Sequence, residues 1–244
     1  MSEIEIESVR ESETRTEGTP APRQARVQVT PNGPYVVAGG VPLARRRRVR
    51  SEDGESLTWQ TTARLDPPSQ YALCRCGQSS NKPYCDGTHL TVGFDAVETG
   101  PGESYDSRSK TYLGTGIVMR DDRSVCAHAG FCSNRITNVW KLVSGSATDD
   151  SIVRAQVMAM VERCPSGALT YRIEADGEDI EPELADEIGV IDDGPLWITG
   201  RIVITGPDGE EIEWRNRMTL CRCGQSKIKP LCDGSHAEAG FVDH

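Results

Sequence analysis

Branched and aromatic residues alternate with polar ones in short runs through much of this chain, the two-residue period of half-buried strands. YVVAG (35–39) and LWITG (196–200) are such runs, and RIVITGPDGEEIEW (201–214) divides into two around a Pro-Asp-Gly turn. KTYLGTGIVMR (110–120) and ALTYRIEA (168–175) also read as strands. One stretch keeps a helical period instead. From DDSIVRAQVMAMVER (149–163) onward, Val153, Val157, Met160, Val161 and Cys164 recur at helical spacing, with Thr148 or Asp149 as N-cap. The acidic, proline-containing segment EADGEDIEPELADEIGVIDDG (174–194) reads as a hinge. The pattern predicts an α+β chain, mostly β.

The strand pattern occurs twice. GPYVVAGGVPL from Gly33 matches GPLWITGRIVI from Gly194, and DGESLTW from Asp53 matches DGEEIEW from Asp208. Each copy then runs into a cysteine loop, CRCGQSSNKPYCDGTH (74–89) and CRCGQSKIKPLCDGSH (221–236). Over the 17 positions from Leu73 and from Leu220, the copies differ at four: Ser80/Lys227, Asn81/Ile228, Tyr84/Leu231 and Thr88/Ser235. The repeat is therefore a domain rather than a motif. The first copy is longer, with 41 residue steps from Gly33 to Cys74 against 27 from Gly194 to Cys221, and its extra length lies around ARRRRVR and TARLDPPS. Units of about 60 residues have little core apiece, so a bound metal or mutual packing must stabilise them. The expected organisation is an acidic, disordered tail over 1–25, a first module over 26–95, a separate α+β domain with its linker over 96–187, and a second module over 188–244.

Composition narrows the chemistry. The formal charge of −10 argues against nucleic-acid binding, and no apolar run is long enough to span a membrane. The N-terminal segment has no apolar centre, so it reads as neither signal nor transit peptide, and a cytoplasmic, reducing setting is expected. In that setting nine cysteines do not suggest disulfides. They fall in three groups of three, and three of the four histidines stand among them. Metal binding follows, with two readings open for C-x-C-x8-C-x3-H. Zinc favours cysteine pairs two to four residues apart. The one-residue gap and the wide step to the next ligand suit two irons better.

Both loops resemble the CDGSH iron–sulfur domain family, the mitoNEET-like proteins, with Ser79 and Pro83 or Ser226 and Pro230 at the intermediate positions. The resemblance implies one 2Fe-2S cluster per copy. Cys74 and Cys76 would hold one iron and Cys85 and His89 the other, with Cys221, Cys223, Cys232 and His236 repeating the scheme. It also implies two modules paired about a two-fold axis with exchanged strands, here within one chain as a pseudo-dimer that needs no second subunit. Asp86 and Asp233 are expected to cap a helix that aims its amides at the cluster, worth about 0.3–1 kcal/mol. Gly87 and Gly234 should allow close backbone approach, and Pro83 and Pro230 should stiffen the loop.

The third group, CAHAGFC (126–132) with CPSGAL (164–169), resembles a divergent single-cluster ferredoxin-like domain. Cys126, Cys132 and Cys164 suffice for a 3Fe-4S cluster. The usual middle cysteine is replaced by Ala129, so a 4Fe-4S cluster would need His128 or an outside ligand. The run RRRRVR could dock an acidic redox partner, though on an acidic protein it reads first as solvated. No catalytic triad or carboxylate pair stands out. The expected function is electron transfer without enzymatic activity, the partner being a reductase, an oxidoreductase or an apo iron–sulfur acceptor. Cluster transfer or redox and pH sensing is the alternative, and a zinc-stabilised scaffold a third reading.

Overall fold

The computed structural model describes residues 24–144 and 146–243, so the expected disordered tail lies outside the described residues but for its last two. Along the chain run β1 (Arg26–Val29), β2 (Tyr35–Ala38), β3 (Leu43–Arg50), β4 (Ser56–Leu65), β5 (Gln70–Leu73) and the short helices α1 (Thr88–Thr91) and α2 (Tyr105–Arg108). Then come β6 (Lys110–Gly114), β7 (Ile117–Asp121), α3 (Val139–Val143), α4 (Ser151–Glu162) and β8 (Leu169–Arg172). The chain closes with β9 (Glu187–Ile191), β10 (Leu196–Thr199), β11 (Val203–Thr205), β12 (Arg217–Leu220) and α5 (Ser235–Glu238).

The two repeats exchange a strand. One sheet has the order β11-β1-β2-β5 and the other β12-β10-β9-β3-β4, so β3 leaves its own copy for the second and β11 joins the first. Both exchanged strands pair parallel, Leu43 opposite Ile188 and Ile204 opposite Val27. In the repeat alignment Leu43 corresponds to Ile204, so the two pairings are copies of each other. The exchange supplies the core that neither repeat could build alone. Val27, Tyr35, Val37, Leu43 and Leu73 pack in one cluster with Ile188, Val190, Leu196, Ile204 and Leu220. Burying side chains of this size is worth about 1.5–3 kcal/mol each, which offsets the small area of either half.

The middle segment forms its own antiparallel sheet, β6-β7-β8. Ile117, Met119, Val139, Val157, Val161 and Leu169 share its core, so α4 buries the face that its periodicity marks. Its N-cap is neither Thr148 nor Asp149. Asp150 takes that place, its carboxylate accepting from the Ile152 amide at 2.8 Å. Thr148 is instead buried, its hydroxyl accepting from the Thr115 amide at 2.8 Å.

Three other expectations are corrected. The acidic hinge ends before residue 187, because EIGVI is strand β9, with Ile188 and Val190 fully buried beneath both neighbours. The second run of RIVITGPDGEEIEW makes only a bridge from Glu211 to Thr205, whereas its counterpart in the first copy is the ten-residue β4. The arginine run is not simply solvated. Arg45 pairs with Asp243 at 3.1 Å, Arg46 with Glu187, and Arg47 with Asp192 at 3.0 Å, fastening β3 to the copy it has joined. Among the described residues no helix is long and apolar enough to cross a membrane.

Candidate metal centres

Each cysteine loop folds back so that its third cysteine meets the first two. The Cys74 amide donates to the Pro83 carbonyl and the Cys221 amide to that of Pro230, both at 2.8 Å. Buried Ser79 and Ser226 donate to the carbonyls of Tyr84 and Leu231 at 2.6 Å. Asp86 accepts from the Thr88 amide and hydroxyl and from the Ser80 amide and hydroxyl, bonds that hold its carboxyl well below the usual carboxylate range. Burial pushes Asp233 upward, but bonds from Ser235 and Lys227 outweigh it and its pKa is lowered. These aspartates are not the N-caps. Gly87 and Gly234 hold that position, both at φ +88°, and each helix has a single turn of four residues. So short a helix has little dipole to aim. Single amides are directed at sulfur instead: those of Gly87 and Gly234 donate to Cys85 and Cys232, and that of Gln225 to Cys223, all at 3.4 Å.

The donors assemble in pairs. Cys74 and Cys76 bring their sulfurs to 3.8 Å, and Cys221 and Cys223 to 3.7 Å. His89 Nδ1 lies 3.4 Å from the Cys85 sulfur, and His236 Nδ1 the same distance from that of Cys232. Burial pushes the Cys76 thiol up to about 11 and Cys232 up to about 12, and it raises Cys85 as well. The Cys221 sulfur raises Cys223, with burial adding to the effect. Burial lowers His236, and Arg222 and His128 lower it further. The hydrogen bond from Cys223 lowers Cys221 to about 6, so that pair holds one thiolate and one thiol; the raised thiols would give up their protons to a bound cation.

Sequence reasoning missed four residues at these sites. Arg75 and Arg222, between the close cysteines, are almost fully buried. Arg222 donates to the carbonyls of Gly194 and Ile191 and to Asp243, and Arg75 donates to the Thr30 carbonyl and pairs with Glu98. Each keeps one buried N–H without a protein partner, Arg75 Nε and Arg222 Nη1, which fits an anionic group nearby. Gly77 and Gly224 are the other two. A methyl group on Gly77 would lie 2.7 Å from the Cys223 carbonyl oxygen, and one on Gly224 2.8 Å from that of Cys76. The two loops thus touch through their glycines. The signal was present in the sequence, because CRCG is identical in both copies.

The third group converges too. Cys126, Cys132 and Cys164 line a cavity of about 220 Å³ together with His128, Ala129 and Trp140. Burial raises Cys126 and Cys132, and the neighbouring Cys164 raises both further. Arg123, stacked over Trp140 at 4.7 Å, reaches the Cys126 sulfur at 3.9 Å. The extra length of the first repeat has its use here. Arg48 and Ser56, on β3 and β4, donate to the Ala129 carbonyl at 2.6 and 2.8 Å, and Trp59 lies 5.0 Å from Phe131. The β3–β4 hairpin is therefore the cradle of the CAHAGFC loop.

Comparison with known families agrees with this geometry. The family model described as an iron-binding zinc finger of CDGSH type matches residues 32–90 and 193–237. A divergent 4Fe-4S mono-cluster model matches residues 112–174, between them. A search of curated proteins found no match.

Proposed function

We propose that this chain, an iron–sulfur protein in which two CDGSH-type modules flank a divergent 4Fe-4S mono-cluster domain, is a multi-cluster electron carrier with no substrate chemistry of its own. Each CDGSH loop holds one 2Fe-2S cluster, and Cys126, Cys132 and Cys164 hold a third of 3Fe-4S or 4Fe-4S type. The pairing of donors carries this reading. A single zinc ion needs four donors around one point, whereas these loops present two close pairs.

When bound, such clusters supply one-electron exchange. The chain's own residues hold the donors, exclude water and offset charge. Arg75 and Arg222 bring buried positive charge into the two ligand loops, Arg222 interacting with Cys74 of the opposite loop, and the Gly87 and Gly234 amides direct hydrogen bonds at sulfur. One neutral imidazole per site lowers the negative charge, so the potential falls between about −400 mV for all-cysteine clusters and the roughly −150 to +300 mV of two-histidine centres. The exchange of β3 and β11 replaces a partner subunit, so the chain works as a monomer and meets a redox partner protein.

Cluster transfer is the second reading, favoured by one observation. Cys85 is half-buried whereas Cys232 is 1% exposed, though His89 and His236 are both half-buried, so the first site is the more open to an acceptor. Anaerobic purification with iron and sulfide analysis and EPR tests both. About four irons would leave the two 2Fe-2S sites alone, and about seven or eight would add the third. A colourless, zinc-containing protein would overturn the proposal. Rapid delivery to an apo-acceptor, with poor electron exchange with a reductase, would select the second reading.

A further inference from the structure

Cys126 and Cys232 belong to different sites, yet a two-residue bridge joins them. The His128 amide donates to the Cys126 sulfur. Its side chain rests on Gly234, where an added methyl group would come 3.0 Å from His128 Cδ2 and 3.3 Å from its Cβ. The Gly234 amide in turn donates to the Cys232 sulfur at 3.4 Å. His128 takes up φ +56°, unusual for a residue with a side chain, and it lines both the middle cavity and the groove beside His236.

The first CDGSH loop has no such contact. The Gly87 amide donates to Cys85 at the same 3.4 Å, but nothing lies within 4 Å of the place a methyl group would occupy on Gly87. Two loops of almost identical sequence therefore differ in their surroundings. One is in touch with the middle site, and the other reaches it only through its twin, across the contacts of Gly77 with Cys223 and of Gly224 with Cys76.

We propose that the three sites form an ordered line, from the middle site through the second CDGSH site to the first, with His128 as the positioning residue that joins the first two. This rests on the reading that all three sites hold iron–sulfur clusters. Electron tunnelling falls steeply with separation and runs better along bonds and hydrogen bonds than across space. One electron leaves the reduced middle cluster and is accepted by the oxidised second CDGSH cluster, with no bond made or broken and no proton moved. The first CDGSH site, half-buried and touching its twin through Gly77 and Gly224, is the outer end of the line. In this arrangement His128 serves as a contact and not as the fourth ligand in place of Ala129.

The test uses the loaded, full-length protein. His89→Cys and His236→Cys each replace one imidazole by a thiolate, which shifts the EPR signal of one CDGSH cluster and so labels it. Reduction of the middle cluster should speed the spin relaxation of the signal labelled by His236→Cys and leave that labelled by His89→Cys much less affected. His128→Ala should keep the full iron content and lose fast electron redistribution between the middle and second CDGSH clusters after partial reduction. Should that variant not fold, Gly234→Ala, which displaces the ring, should show the same loss, and Gly87→Ala should not. Equal relaxation of both labelled signals, or unchanged redistribution in His128→Ala, would overturn the line while leaving the cluster assignment intact. Loss of middle-site iron in His128→Ala would make His128 a ligand and overturn its positioning role. Absence of EPR signals from the reduced unmodified protein would instead defeat the cluster reading itself.

Discussion

The hydroxyl of Tyr35, fully buried in the first repeat, lies 2.7 Å from the carbonyl of Cys221 and 3.1 Å from that of Pro230, both in the second. The corresponding position of the second repeat is Leu196, which has no hydroxyl to return the contact. A strand of one copy thus steadies the ligand loop of the other, in one direction only.

Tyr35→Phe should therefore cost about 1–3 kcal/mol, since it leaves the buried Cys221 carbonyl without its donor, while that of Pro230 keeps the Cys221 amide, and creates no cavity to confuse the result. Urea unfolding should show a lower midpoint with unchanged slope, and mild heating should release the second cluster before the first. An unchanged midpoint would mean that the hydroxyl contributes nothing across the repeat boundary.

Gly77 and Gly224 sit at φ +80° and +77° with a backbone carbonyl of the opposite loop inside contact distance. Gly77→Ala or Gly224→Ala should add about 1–3 kcal/mol of backbone strain and push the loops apart as well. Gly54, at φ +85° but with open space around it, supplies the control, since Gly54→Ala carries strain alone. Both loop variants should incorporate less iron than Gly54→Ala. Equal incorporation in all three would show that the loops tolerate separation.

The ligand loops were legible because their chemistry is local. Three cysteines and a histidine at fixed spacing, written twice, specify a site without reference to the rest of the chain. Strand exchange is not local. Leu43 opposite Ile188 and Val27 opposite Ile204 are pairings across the whole sequence, and periodicity says only that each run is a strand. β9 was hidden because EIGVI is five residues long and flanked by acids, and a strand buried on both faces shows no alternation to offset that composition. Arg75, Arg222, Gly77 and Gly224 looked like filler between ligands. Their work is done against distant backbone, and only their identity in both copies marked them.

Asp243 holds the chain's end against two arginines, Arg222 at 2.6 Å and Arg45 at 3.1 Å. Burial pushes its carboxyl up, but Arg222 and then Arg45 outweigh it, and the net shift is downward. A carboxyl whose folded pKa is depressed adds stability above its unfolded value of about 3.9 and loses it as pH falls through the folded value. Asp243→Asn should cost about 3–5 kcal/mol at neutral pH because it leaves the Arg222 charge buried without its partner. The variant and the unmodified protein should begin to converge below about pH 4 and meet only under the depressed folded value. Melting temperatures from pH 7 to 3 that stay parallel would remove Asp243 from the acid response.

Metal removal should expose the opposite pH dependence. In the metal-free, reduced protein burial raises Cys76 to about 11 and Cys232 to about 12, with Cys85, Cys126 and Cys132 also raised. An unfolded thiol ionises near about 8.5. At these five cysteines the folded state therefore holds protons that the unfolded chain gives up, and that preference is fully present below the unfolded value; Cys221, lowered to about 6, runs the other way and is outnumbered. It is lost as pH rises through the folded values, because each thiolate formed inside must be left unsolvated. The metal-free protein should melt at progressively lower temperature from pH 8 to 11. In the loaded protein the same sulfurs are already thiolates bound to metal, so folding and thiol ionisation are no longer coupled in this way. Lysines and tyrosines titrate in both forms, so the informative quantity is the difference in melting temperature between loaded and metal-free protein, which should widen with pH. Cys76→Ser should reduce that widening, since the serine hydroxyl does not ionise in this range. A constant difference across the series would mean that these cysteines are not held as buried thiols when the metal is absent.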